Sequence, residues 1–209
     1  MYEIEGLLDL ADLMQLTRLD RPDLKVEPWA PITQPRLARA QDASRLFDEI
    51  RRGDLIAMKT AVYRTSDDST LIAALTDCAE DGKQAVCLVE LKARFDERRN
   101  IEWSRALEQA GVHVVYGFPD LKIHAKMTLV VRREPGGLRR YVHIGTGNYH
   151  GATARLYEDV GIFTADEEIA ADVADVFNYV TGFGRPQRFR KLLVAPFSMR
   201  TRLVEEIRR

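Results

Sequence analysis

The chain has 209 residues, 45% of them apolar, 30% charged and 8% aromatic. That is enough to bury the core of one domain with an appendage, and too apolar for a disordered tail. With 31 Lys and Arg against 32 Asp and Glu, no global field draws the chain to nucleic acid or an anionic membrane, so any anion site is local.

No window approaches the roughly 18 apolar residues of a membrane helix. The opening Met1-Tyr2-Glu3-Ile4-Glu5 is not a signal peptide, which makes the cytoplasm the expected compartment. Cys78 and Cys87 sit in apolar contexts without a CxxC spacing and read as two buried, reduced thiols.

Residues 1–54 differ from the rest. Leu10, Leu13, Met14 and Leu16 give a short helical pattern over 9–19. Pro22, Pro28, Pro31 and Pro35 then make an extended connector, and a polar helix over 42–51 stops at Gly53. From Leu55 apolar runs alternate with amphipathic helices, the pattern of an α/β domain with a mixed, largely parallel sheet flanked by helices.

Strands are expected over 56–63, 85–91 and 112–116. The intervening helices carry Leu71, Ile72, Leu75, Cys78 and Ala79 before Gly82, and Ile101, Ala106, Leu107 and Ala110 before Gly111. Strands over 123–132 and 139–144 flank a hairpin loop at Glu134-Pro135-Gly136-Gly137-Leu138. Thr164 and Glu167 form a capping box for a helix with Ile169, Val173, Val176, Phe177 and Val180 on one stripe, ending at Gly182. A strand over 190–196 and a helix from Ser198 complete the pattern.

Ligands of open α/β sheets bind beyond the carboxyl ends of the strands. Here those ends are basic: Arg64 follows the first strand, Lys92 and Arg94 the second, and the third leads through Asp120 and Lys122 to His124. Arginine presents a planar fork to phosphate oxygens, so convergence of Arg64, Arg94 and His124 predicts a phosphate pocket; solvated strand-end cations are the alternative.

Strand alternation over 122–131 sets His124, Lys126 and Thr128 on one face and Ile123, Ala125, Met127, Leu129 and Val131 on the other. An imidazole there can attack phosphorus while the ammonium neutralises the transferring oxygens. With the loop at 134–138, antiparallel pairing sets Arg133 opposite Arg139, Lys126 opposite Thr146 and His124 opposite Asn148. Asn148 could then orient the imidazole or the phosphoryl group, and His143 falls on the Leu129 side with a structural role.

His113 and His150 have no second ligand at metal spacing, and Glu158 with Asp159 read as a solvated strand start rather than an Mg²⁺ site. There is no GxxxxGK[ST] loop and no GxSxG elbow.

His124-Ala125-Lys126 followed by Gly145-Thr146-Gly147-Asn148 resembles the phospholipase-D-like histidine superfamily. Several blocks resemble its polyphosphate kinase branch, the histidine-phosphorylated type. They are Val62-Tyr63-Arg64-Thr65-Ser66, Val89 to Glu97, Gly111 to Gly117, Leu121 to Lys126, His143 to Tyr149 and Thr153-Ala154-Arg155-Leu156-Tyr157. The resemblance implies residues 1–54 as the end of a head domain with its linker, 55–182 as a phospholipase-D-like first catalytic domain bearing an HxK hairpin, and 183–209 as the start of a second.

It further implies reversible transfer of the ATP γ-phosphate to inorganic polyphosphate through a phosphohistidine. His124 would be the nucleophile and Tyr157 the nucleotide contact. Arg64 and Arg94 would hold phosphate oxygens that Mg²⁺ bridges. Lys126 and Asn148 are assigned as phosphate stabilisers from their position. The aspartate of the phosphodiesterase branch would fall at Val131, and its absence favours the kinase branch.

The family's His-His-Pro-Tyr segment, expected between Asp54 and Leu55, is missing, and the second catalytic domain stops at Arg209. A fragment of a homo-oligomeric enzyme is therefore expected. A non-enzymatic ATP- or polyphosphate-binding remnant and a phosphodiesterase are the alternatives.

Overall fold

The computed structural model describes residues 54–209 apart from 64, 66–68, 91–96, 119–120, 155, 183 and 185–187. The elements expected before residue 54 lie outside the described residues, as do Arg64, Lys92 and Arg94.

The strands are β1 (Asp54–Val62), β2 (Gln84–Val89), β3 (His113–Tyr116), β4 (Lys126–Glu134), β5 (Gly137–Gly145) and β6 (Gly161–Thr164). They form one mixed six-stranded sheet in the order β3-β2-β1-β4-β5-β6. β1, β2 and β3 run parallel, because each connection is a helical crossover: α1 (Thr70–Glu80) and α2 (Glu97–Gln109). β4 joins β1 antiparallel, and β5 and β6 continue antiparallel. A four-residue helix, α3 (Gly151–Ala154), precedes β6; α4 (Glu167–Val180) and α5 (Met199–Ile207) follow it.

The central strands read as continuous apolar runs because both faces are covered. On one face Met58, Val62, Cys87, Val89 and Val130 pack with Leu71, Leu75 and Cys78 of α1 and Leu107 of α2. On the other, Ala61, Leu88, Met127, Leu129 and Val142 meet Ala170, Val173 and Phe177 of α4. Both cysteines are buried as expected, and burial pushes their thiols above the ordinary value. Gly82, Gly111 and Gly182 close their helices at positive φ, where a Cβ would be strained.

Four local expectations are revised. The inner face of α2 carries Asn100, Ser104 and Leu107, all buried, while Ile101 and Ala106 face out. Asn100 is inside because its amide donates to Tyr63 O at 3.0 Å and Glu90 O at 2.8 Å, tying α2 to the ends of β1 and β2. The cap of α4 is Asp166, which accepts from the backbone N–H groups of Glu168 and Ile169. Thr164 belongs to β6, and a carboxylate is a stronger acceptor at a helix N-terminus than the hydroxyl expected there.

Residues 190–196 form no strand; bends and turns run from Arg190 to Ser198. The backbone N–H groups of Arg190, Lys191 and Leu192 are taken by the fully buried Asp172 carboxylate at 2.7–3.0 Å.

The fourth revision bears on function. The β4–β5 turn is the two-residue Pro135-Gly136, with Glu134 opposite Gly137. Gly137 sits at φ 115° and closes the turn tightly. The whole ladder is therefore one residue out from the expected register: Arg132 faces Arg139, Thr128 faces His143 and Lys126 faces Gly145. A one-residue slip reverses the faces of the second strand, so His143 lies on the Thr128 face and not on the Leu129 face.

Candidate active site at the strand ends

The carboxyl ends of β1, β2, β3 and β5 and the start of β4 and β6 lie at one edge of the sheet, as their pairing requires. His124 lies two residues before β4 and is exposed, whereas Lys126 opens β4 and is 4% exposed. The alternation expected for this segment holds within β4, where Met127, Leu129 and Val131 pack on the α4 side with Ile123, whereas residues 122–125 precede the strand and Ala125 is exposed.

The Lys126 ammonium donates to the His124 carbonyl at 2.7 Å and stands 3.2 Å from both imidazole nitrogens. The Tyr63 ring meets the imidazole edge-on at 5.0 Å between centroids and lies 5.4 Å from Lys126 Nζ. A buried ammonium is costly unless hydrogen-bonded; here the carbonyl and the π face of Tyr63 stabilise it beside the His124 imidazole.

Two polar anchors set this pair in place. Glu90, at the end of β2 and 6% exposed, accepts from the backbone N–H of Ile123 at 2.8 Å and so fixes the segment that carries His124. Beneath Lys126, Thr60 and Thr128 join hydroxyls at 2.9 Å. Thr128 donates to the Tyr149 hydroxyl at 3.1 Å, which meets His143 Nδ1 at 2.7 Å.

Burial pushes Tyr149 up to about 12, against the opposing Thr128 hydrogen bond, and pushes His143 below the ordinary histidine value. Tyr149 therefore keeps its proton, and because its oxygen already accepts from Thr128, its O–H is directed to His143 Nδ1, with the imidazole proton on the other nitrogen. His143 and Tyr149 were not among the expected site residues. Both follow from the register, which a two-residue turn decides and composition does not.

The Gly145–Asn148 loop closes the edge. Thr146 N donates to Val160 O at 2.9 Å, and Thr146 Oγ1 donates to Asp159 at 2.7 Å. A Cβ on Gly147 would fall 2.5 Å from Asp159 Oδ2, so a larger residue there has to push the Asp159 side chain aside. Asn148 Oδ1 and Thr65 Oγ1 are buried with no hydrogen-bond partner among the described residues, and Thr65 forms a parallel bridge with Tyr149.

β5 ends at Gly145, so Asn148 lies beyond the ladder and is not paired with His124 as expected. Tyr157 is 69% exposed, and no described hydrogen bond or ring contact joins it to His124, Lys126 or Asn148. The structure thus brings His124 and Lys126 together with Tyr63, leaves Asn148 at the same edge, and holds Tyr157 apart.

Among the described residues no three His, Cys, Asp or Glu side chains cluster to hold a cation. Those residues do not fit a protein-held magnesium ion. Cavities of about 540 and 630 Å³ lie at the β4–β5 turn and beside α5, and neither is lined by Tyr63, His124, Lys126 or Asn148. Among the described residues no helix is long and apolar enough to cross a membrane.

The family described as polyphosphate kinase C-terminal domain 1 matches residues 43–186. The polyphosphate kinase of Mycobacterium avium (strain 104) is 49% identical over 235 positions, covering all of this chain and 32% of the relative. That of Mycobacterium tuberculosis (strain ATCC 25177 / H37Ra) is 47% identical with the same coverage. Those alignments span 235 positions against 209 residues here, so the relatives carry at least 26 positions without a counterpart in this chain.

The crystal structure of polyphosphate kinase from Porphyromonas gingivalis superposes with a TM-score of 0.74 at 30% identity, over 97% of this chain and 37% of that one. The chain spans about a third of the length of the curated relatives it matches. With residues 43–186 matching that family's C-terminal domain 1 and with a fold shared with the Porphyromonas gingivalis enzyme, the chain belongs to the polyphosphate kinase family.

Proposed function

We propose that the chain carries the phosphohistidine half-site of a polyphosphate kinase. A nitrogen of the His124 imidazole attacks the γ-phosphorus of ATP, the bond to the β,γ-bridging oxygen breaks, and ADP leaves with that electron pair. A terminal phosphate oxygen of inorganic polyphosphate then attacks the same phosphorus. The P–N bond breaks, the imidazole is regenerated, and the chain is longer by one phosphate. The reverse sequence forms ATP.

Lys126 neutralises the equatorial oxygens during both displacements, and Asn148 hydrogen-bonds the phosphoryl group. Arg64 and Arg94 hold neighbouring phosphates, Tyr157 contacts the nucleotide, and Mg²⁺ arrives on the phosphate oxygens of ATP. Residues 1–54 correspond to the end of the head domain with its linker, 55–182 to the first catalytic domain and 183–209 to the opening of the second.

The observation that carries this reading is the buried Lys126 ammonium 3.2 Å from both nitrogens of an exposed imidazole at the strand ends. A structural lysine would not be drawn out of water toward an accessible nucleophile. The test is incubation with γ-labelled ATP and Mg²⁺, and separately with labelled polyphosphate, for wild type and His124→Ala. An acid-labile, alkali-stable label that disappears in the mutant is expected. No label from either donor in folded protein would overturn autonomous phosphotransfer and leave a binding fragment.

A further inference from the structure

Buried polar atoms in folded proteins are almost always paired, and an unpaired one calls for an explanation. Three side-chain atoms are unpaired among the described residues: Thr65 Oγ1, Asn148 Oδ1 and Arg132 Nε. Arg132 lies on the hairpin stem with its guanidinium over the Tyr141 ring. The other two belong to residues at the strand-end edge that are close in the backbone, because Thr65 bridges Tyr149, the residue after Asn148.

Thr65 is 2% exposed, and its position is held from both sides. Tyr63, two residues earlier, contacts the rings and ammonium of His124 and Lys126. Tyr149 is fastened through its hydroxyl to Thr128 and His143. Tyr63 therefore stands beside His124, and Thr65 stands beside the loop that carries Asn148.

We propose that Thr65 is a further phosphate-positioning residue: its hydroxyl donates to an oxygen of the phosphoryl group that His124 accepts, alongside the Asn148 amide. Phosphate oxygens only accept, and Thr65 has an unused O–H to offer them. Oxygen and nitrogen of an amide are assigned from the hydrogen-bond network, so Asn148 presents its NH₂ to the same group by turning over. No bond is made or broken by either residue. This inference rests on the proposed phosphotransfer function and names an additional residue for it.

The test uses the full chain, inorganic tripolyphosphate as the probe, calorimetric affinity and thermal melting for wild type, Thr65→Val and Thr65→Ser, together with the labelling assay. Valine keeps the shape and deletes the unpaired hydroxyl, so Thr65→Val is expected to melt at or above wild type while tripolyphosphate affinity falls on the order of tenfold. Thr65→Ser is expected to bind within about twofold of wild type, because it keeps the donor.

A Thr65→Val chain that binds as tightly as wild type overturns the proposal. So does one that melts lower, since the hydroxyl would then have a structural partner. If wild type takes label and Thr65→Val matches it in binding, the inference alone fails. If wild type neither binds tripolyphosphate nor takes label, the phosphotransfer reading fails first and this one with it.

Discussion

Replacing Tyr149 by phenylalanine removes one hydroxyl that serves two partners, Thr128 Oγ1 at 3.1 Å and His143 Nδ1 at 2.7 Å. The two losses are unequal. Thr128 can turn its proton back to Thr60 Oγ1, 2.9 Å away, whereas His143 Nδ1 is left as an acceptor without a donor among the described residues. One orphaned buried acceptor costs about 1–3 kcal/mol, and we expect about 2 kcal/mol for Tyr149→Phe. For a chain of this size that corresponds to a fall in Tm of roughly 4–8 °C.

The pH dependence follows from the burial of the same ring. His143 is held neutral in the fold, below its ordinary value, because burial disfavours the imidazolium. As pH falls, the unfolded chain takes up this proton first. The contribution to stability is therefore full above about pH 6.5, the unfolded value, and is lost as pH drops from there toward the lowered folded value. Tyr149→Phe withdraws a hydrogen bond that favours the neutral ring, so its stability should depend less on pH in that window.

Thermal melts of both proteins by circular dichroism, from pH 7.5 to 5, measure both effects. A Tm within a degree of wild type at pH 7.5, with a superimposable pH profile, would refute the relay from Thr60 to His143.

Asp172→Ala should cost about 2–4 kcal/mol in urea unfolding, because it strands the backbone N–H groups of three residues, Arg190, Lys191 and Leu192. The carboxyl stays below the usual carboxylate range although burial pushes it up, since those N–H groups and the Arg190 guanidinium favour the charged form. Asp172→Asn, which keeps an acceptor, should cost less. Lys126→Met should keep the fold, filling the buried stem, and slow His124 labelling by about 10²-fold in rapid-quench measurements; an unchanged rate would remove Lys126 from the reaction. Gly147→Ala forces Asp159 away from Thr146. Labelling should therefore fall while Tm moves little, and normal labelling would show that the loop tolerates the shift.

Local pattern made much of this protein legible. A strand has a period of two, so Lys126 and Thr128 on one face against Met127, Leu129 and Val131 on the other follow from the residues of β4 alone. The stripe of α4 and the glycine stops after α1, α2 and α4 are likewise settled within a turn or two of chain. The sheet class follows from the alternation of strands and helices.

What neighbours decide was not legible. The register of β5 depended on how tightly Pro135-Gly136 turns, and one residue of difference moved His143 from the core face to the side of Tyr149 and Thr128. Residues 190–196 have the composition of a strand, yet a strand needs a partner for its N–H groups, and the Asp172 carboxylate on α4 had claimed them. Asn100 and Glu90 look like surface residues until α2 and the His124 segment fold over them and use their polar atoms as staples. The sequence by itself marked out several candidate residues and the face of β4 that Lys126 and Thr128 occupy, because both are properties of a few consecutive residues. Only the tertiary structure decided which of them meet, because hydrogen-bond partners far apart in the chain are chosen by whichever groups packing leaves within 3 Å.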